Sequence, residues 1–212
     1  MAPLPSSDLS EQKRALRREM SAARTALSES ECSARSESAC ARLLALPELA
    51  GFGGAGPGPK TLAGYIAARG EIDPAAALAA AAADGATVVL PRVATEAPRL
   101  RFHRADAGPL APGRFGLREP AATAPELPLD ELNVVIVPGL AFDAEGRRLG
   151  FGGGYYDSVL GAVGKRPALI GLCYDFQIVA RCPAGDGDVP VDVVVTDARV
   201  LRPARAESSA NR

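Results

Sequence analysis

The chain is short of the side chains that most often carry metal and nucleophilic chemistry. It has one histidine, His103, and four cysteines (Cys32, Cys40, Cys173 and Cys182) with no C-x-x-C pair among them. Zinc-finger ligation is thereby excluded, and four reduced thiols are expected. No G-x-S-x-G elbow occurs, and no serine or cysteine accompanies His103 in a nucleophile context, so His103 reads as a hydrogen-bonded strand residue. The formal net charge is only −1, which argues against a general nucleic-acid or membrane-surface binder. No apolar run approaches membrane-spanning length, and residues 1–18 carry no apolar h-region, so a cytoplasmic location is expected.

What is present suits one α/β domain. A length of 212 residues with 47% hydrophobic side chains can bury a sizeable core. A first helix is expected from Ser7 or Ser10 to about Leu27, with Leu16, Met20, Ala23 and Leu27 on one apolar stripe. Lys13, Arg17 and Arg24 flank that stripe at the margin of the packed face, while Arg14 and Arg18 point further into solvent. A second helix is expected over Ser30 to Leu46, followed by a connector rich in breakers from Gly51 to Lys60. Strands are expected at Thr61–Ile66, Ala86–Leu90, Leu100–Arg104, Val134–Val137, Ala168–Cys173 and Val191–Thr196. Between them fall a helix over Ile72–Asp84, entered through Asp73-Pro74, and a helical turn near Phe176–Ala180. The alternation predicts a mostly parallel sheet with helices on both faces. Residues 105–133 are proline-rich without a period, and are expected to wrap the surface or shape a site. Residues 1–201 are read as a single domain and 202–212 as a disordered tail.

The densest signal lies at residues 134–157. A strand empties into a loop carrying Gly150, Gly152, Gly153 and Gly154, which runs into a helix starting near Tyr155. Such a loop can turn backbone N–H groups toward an anion, with help from the helix N-terminus. It is neither of the familiar nucleotide loops: no Gly-Lys-Ser/Thr follows, and Tyr155 stands where a dinucleotide fingerprint needs glycine. On glycines alone, a tight structural turn is nearly as good a reading; Arg147, Arg148 and Asp157 tilt it toward a phosphate cradle. Ligands in open α/β sheets lie beyond the carboxyl ends of the strands. Glu71, Pro91-Arg92, the glycine loop and Tyr174-Asp175 all follow expected strands and should converge there. Asp157 and Asp188 are the candidates for magnesium, which takes few carboxylates beside phosphate oxygens and water. A helix-dipole partner and a turn residue are the plain alternatives for the two.

The run Leu149-Gly150-Phe151-Gly152-Gly153-Gly154-Tyr155-Tyr156-Asp157, with Val-Pro-Gly-Leu-Ala-Phe-Asp at 137–143, resembles the hallmark of the 5-formyltetrahydrofolate cyclo-ligase family. Five further blocks agree in order: Lys13-Arg14-Ala15-Leu16-Arg17, Gly70-Glu71-Ile72-Asp73, Leu90-Pro91-Arg92-Val93, Phe115 to Pro120, and Asp188 to Asp192. The resemblance implies a three-layer α/β/α fold with a mostly parallel sheet, like that of sugar-phosphate isomerases and CoA-transferases. It also implies cyclisation of 5-formyltetrahydrofolate to 5,10-methenyltetrahydrofolate with ATP as cosubstrate and Mg2+ as cofactor, by a monomer with small-molecule partners only. Carried over residue by residue, ATP is bound by Lys13, Arg17, Arg148, Leu149, Gly150, Phe151, Gly152, Gly153, Gly154, Tyr155 and Tyr156. The folate is met by Ile66, Glu71, Gly152, Gly153, Gly154 and Tyr155, and magnesium by Asp157 and Asp188. Two positions depart from the family pattern: Phe151 and Ser158 stand where arginine is frequent. A phosphosugar enzyme on a related scaffold and a non-catalytic folate or nucleotide binder are the competing readings.

Overall fold

The computed structural model describes residues 6–50, 60–94, 99–161, 166–185 and 187–204. The first half of the chain forms α1 (Ser6–Thr25), α2 (Glu29–Leu44), β1 (Thr61–Ala63), α3 (Ala75–Ala83), β2 (Thr87–Val93) and β3 (Leu100–Arg104). Three short strands follow, β4 (Ala111–Pro112), β5 (Arg118–Glu119) and β6 (Glu126–Leu127). The rest comprises β7 (Val134–Pro138), β8 (Ala141–Phe142), β9 (Arg148–Leu149), α4 (Tyr155–Leu160), β10 (Ala168–Leu172), β11 (Val193–Val195) and β12 (Val200–Leu201).

Eight strands share one sheet in the order β12-β11-β10-β7-β1-β2-β3-β6. The five central strands, β11 to β2 in that order, are parallel. β12 and β3 add to its sides in antiparallel sense, and β6 pairs antiparallel with β3. Strand periodicity divides the core in two. Leu62, Val134, Ile136, Ile170, Leu172, Val193 and Val195 point to one face, where Ala39 and Leu43 of α2 and Ala77, Leu78 and Ala81 of α3 cover them. Their neighbours Ala63, Val135, Val137, Leu169 and Val194 point to the other, against Leu129, Leu132, Phe142 and Leu160 of α4. A strand buried on both faces must read as an unbroken apolar run, which is what Val134–Val137 is. The arrangement is the expected three-layer α/β/α fold.

α1 serves a different purpose. Leu16 and Met20 pack on Leu140, Ala141, Leu149 and Cys182, so the helix lies on the β8–β9 hairpin. That hairpin was not anticipated. Its turn is organised by Asp143, fully buried, whose carboxylate accepts the N–H groups of Glu145, Arg147 and Cys182 at 3.1, 3.0 and 2.7 Å.

Several boundaries differ from expectation for local reasons. α2 starts one residue earlier because Ser28 and Glu31 form a reciprocal capping box. β1 stops at Ala63, three residues short of Ile66, where Tyr65 turns inward and donates its hydroxyl to the Ile72 carbonyl at 2.6 Å. α3 begins at Ala75, with Asp73 Oδ1 accepting the Ala75 N–H at 3.0 Å. The connector at 51–59 lies outside the described residues. Of the expected disordered tail, 202–204 are described, and Arg202 makes a two-point pair with Glu48 at 2.6 and 3.0 Å. The four cysteines are free thiols, and burial pushes those of Cys40, Cys173 and Cys182 up, the last to about 12.

Candidate active site

At the carboxyl edge of the parallel strands the chain leaves a cavity of about 620 Å³, within the range typical of small-molecule clefts. Segments far apart in sequence build its wall: Lys13 and Arg17 from α1, Tyr65, Ile66, Ala68, Arg69 and Glu71 after β1, Pro91 and Val93 of β2, Leu100 of β3, Leu117 to Glu119, Pro138, residues 148–157 and Asp188. Every residue singled out from the sequence for ATP, folate or magnesium lines this one space. Three other expectations do not hold. Arg92 is absent from the wall, because it donates to the Pro120 carbonyl at 2.8 Å and pairs with Glu119 at 3.4 Å. Tyr174 is packed in the core and Asp175 accepts from Thr196 and Arg199 at 2.9 Å each, so that strand end does not reach the cavity. Arg147 is likewise absent from the wall, because the hairpin turn uses it: Asp143 and Glu145 hold it at 2.7 and 2.6 Å.

One side of the cavity gathers cations and carboxylates. Lys13 Nζ stands 2.6 Å from Asp188 Oδ2, which also accepts the Gly185 N–H at 2.8 Å. The buried Arg148 donates to Asp157 Oδ1 at 2.8 Å, and the same oxygen accepts the Val189 N–H at 3.2 Å, placing Asp157 next to the Asp188 segment. Each aspartate thus has one carboxylate oxygen outside these bonds. Among the described residues no cluster of three or more metal-ligating side chains forms. Two carboxylates on one rim suit magnesium, which completes its shell with phosphate oxygens and water.

The glycine loop lies between this side and α1. Arg17 Nε donates to the Gly150 carbonyl at 2.8 Å, and a Cβ on Gly152 would meet the Arg17 guanidinium at 3.3 Å. Gly152 and Gly154 have φ of +104° and +65°, values that side chains with a Cβ adopt reluctantly. Glycine is therefore favoured at both positions by backbone conformation. Phe151, at the loop's tip, is 45% exposed, and its ring lies 5.5 Å from the Arg24 guanidinium and 5.4 Å from that of Arg69. The arginine frequent in the family is replaced by a ring that two other arginines contact.

The other side of the cavity centres on Glu71. Its Oε2 accepts the Ala68 N–H at 3.0 Å and its Oε1 lies 4.0 Å from Arg24. Burial pushes the Glu71 carboxyl up, opposed in part by Arg24. Tyr156 lies within reach of Glu71's charge; its phenol is pushed up by burial, and its hydroxyl has no hydrogen-bond partner among the described residues.

Two parts of this wall, Arg69 and Glu119, and the buried Arg24 behind it escaped the sequence reading. Arg24 was noted only as a cation beside the apolar stripe. Arg69 carried no motif, and its left-handed backbone, φ +50°, has no local signature. Glu119, buried and 3.4 Å from Arg92, belongs to a block that resembles the family but had no role assigned.

The pattern of the 5-formyltetrahydrofolate cyclo-ligase family matches residues 9–197. The chain belongs to that family. Among curated relatives, the 5-formyltetrahydrofolate cyclo-ligase of Escherichia coli (strain K12) is 38% identical over 93 residues, 43% of this chain and 51% of that protein. The match to the first curated relatives thus spans about half their length. The enzyme of that name from Mycolicibacterium smegmatis is 33% identical over 147 residues, 66% of this chain and 75% of its own. The solution structure of Aquifex aeolicus 5,10-methenyltetrahydrofolate synthetase superposes with a TM-score of 0.75 at 34% identity, covering 94% of this chain and 96% of that one. A likeness in fold extends to the Mycoplasma pneumoniae protein of that name, TM-score 0.69 at 23% identity over 87% of this chain and 98% of the other.

Proposed function

We propose that the chain uses ATP and Mg2+ to convert 5-formyltetrahydrofolate to 5,10-methenyltetrahydrofolate, with release of ADP and phosphate. The observation that carries this reading is the shared cavity: Lys13, Glu71 and Asp157, distant in sequence, line one space. A formamide oxygen leaves poorly from carbon. Transfer of the γ-phosphoryl group to that oxygen turns it into a phosphate leaving group, which departs once N10 of the folate attacks the same carbon and closes the ring. Little covalent chemistry then falls to the protein, whose task is to align two substrates and offset moving charge.

The parts fit that task. Lys13 and Arg17 supply cations from α1, and residues 148–156 supply Arg148 and a loop that admits close approach by phosphate. Glu71, largely buried in the wall with Oε2 on the Ala68 N–H and Oε1 toward Arg24, offers a carboxylate suited to the planar N–H edge of a pterin, and Ile66 lines the same space. Asp157 and Asp188 would hold magnesium, which supplies charge neutralisation at the phosphates. Arg148 and Lys13 hold those two carboxylates in place on the cavity rim. The decisive assay follows the absorbance of methenyltetrahydrofolate formed from 5-formyltetrahydrofolate. Product is expected only with ATP and magnesium together; none with both, or equal amounts without ATP, overturns the reading.

A further inference from the structure

We propose that Arg24 is a positioning residue that ties three segments of the cavity wall together and sets its guanidinium charge against Glu71, the carboxylate that meets the substrate. The inference rests on the reading above, in which Glu71 meets the pterin. Arg24 ends α1 with its side chain 1% exposed. Its Nε donates to the Gly70 carbonyl at 3.2 Å, and one terminal nitrogen donates to those of Ala68 and Arg69 at 3.0 and 2.5 Å. The other terminal nitrogen has no hydrogen-bond partner among the described residues and stands 4.0 Å from Glu71 Oε1. The same guanidinium lies 5.5 Å from the Phe151 ring. One side chain thus reaches the turn after β1, the carboxylate beyond it and the tip of the glycine loop.

The turn it grips is strained. Arg69 is the one non-glycine residue with positive φ among those described, and strain of this kind persists only where neighbours over-determine it. Three carbonyls from consecutive residues, all accepting from Arg24, provide that constraint.

The charge has a separate role. The titratable and charged groups facing Glu71 are Arg24 from α1, Arg69 from its own loop, Tyr65 at the end of β1 and Tyr156 of α4. Burial pushes both phenols up, so they stay neutral where a carboxylate titrates. Arg24 is the largest influence favouring the ionised carboxylate, and Arg69 a lesser one. A guanidinium needed only as a carbonyl donor could be exchanged for an uncharged donor with no change in how Glu71 titrates.

The test compares Arg24→Gln, which keeps a donor without the charge, with Arg24→Lys, which keeps the charge without the planar fork. Binding of 5-formyltetrahydrofolate is measured by calorimetry from mildly acidic to neutral pH, without ATP or magnesium. The parent should lose affinity as pH falls through the Glu71 pKa. Arg24→Gln should move that midpoint up by about 1 unit or more, the effect of removing an opposite charge at this range; Arg24→Lys should leave it with the parent. Coincident midpoints for parent and Gln variant overturn the inference while leaving the functional reading intact. A parent that binds no 5-formyltetrahydrofolate overturns the functional reading itself. Should Arg24→Gln fold poorly, thermal unfolding decides. At neutral pH Glu71→Gln should raise Tm more in the Arg24→Gln background than in the parent, whereas equal gains refute the charge role.

Discussion

Lys13 stands in the cavity wall 2.6 Å from Asp188, with a fifth of its side chain exposed. A part-buried pair that still faces the water of the cavity contributes about 0–1 kcal/mol to folding, but a charge-assisted contact to a phosphate is stronger, about 1.5–3 kcal/mol. Lys13→Ala is therefore expected to lower kcat/KM for ATP roughly 10- to 100-fold with little change in Tm; steady-state kinetics beside thermal melts would show the reverse pattern if the lysine were structural. Glu71 behaves oppositely. Its folded pKa is raised by burial, so the fold favours its protonated form, and that advantage is complete at low pH and lost as pH rises through the folded pKa. Glu71→Gln imitates the neutral acid. It should raise Tm at neutral pH, show no gain in acid, and abolish folate binding; a neutral-pH Tm below the parent's would contradict the linkage. Of these two residues, the position of Lys13 was legible from its place beside an apolar stripe, since helical periodicity fixes which way it points, while its proposed role toward ATP came from the resemblance. That of Glu71 needed resemblance to suggest it, because nothing local in Gly70-Glu71-Ile72 announces a buried carboxylate. Arg147 shows the limit of charge as a guide: beside a glycine loop it looks like a phosphate contact, yet Asp143 and Glu145 hold it in a turn.

Helices and strands divide by how local their causes are. β7 and β3 appear almost where apolar patterning puts them, because a strand buried on both faces or one needs only its own residues to declare itself. The β8–β9 hairpin was missed since each strand has two residues, too few for a period, and its stability lies in the buried Asp143 carboxylate. α2 lies between these cases. Its apolar positions were evident, but its start was set by Ser28 and Glu31, whose spacing is that of a capping box. Ser28→Ala is expected to lower stability by about 1 kcal/mol. Because α2 contributes no residue to the cavity wall, kcat/KM should be unchanged for both substrates. Denaturant unfolding with parallel kinetics measures both, and a loss of activity beyond the unfolded fraction would mean that α2 communicates with the site.

The cavity belongs to the molecule as a whole, since its wall runs from Lys13 to Asp188 and no stretch of chain contains it. What the sequence offered was an ordered set of blocks; that they meet follows from the parallel order of β10, β7, β1 and β2, which brings the ends of three of these strands to one edge. The bonds that hold this wall, from Arg24 to the turn at Arg69 and from Lys13 to Asp188, bridge 44 and more positions and leave no local trace. A ligand that bridges such a wall should stabilise the fold as a unit. At a hundredfold excess over Kd, binding adds about 2.7 kcal/mol, which for a chain of this size corresponds to a rise in Tm of roughly 5–10 °C. 5-Formyltetrahydrofolate alone should produce that shift in a single transition, in circular dichroism and in tyrosine fluorescence alike, and Glu71→Gln should remove it. A shift seen by one probe and not the other would mean that the ligand orders only a local segment, and that the wall does not melt together.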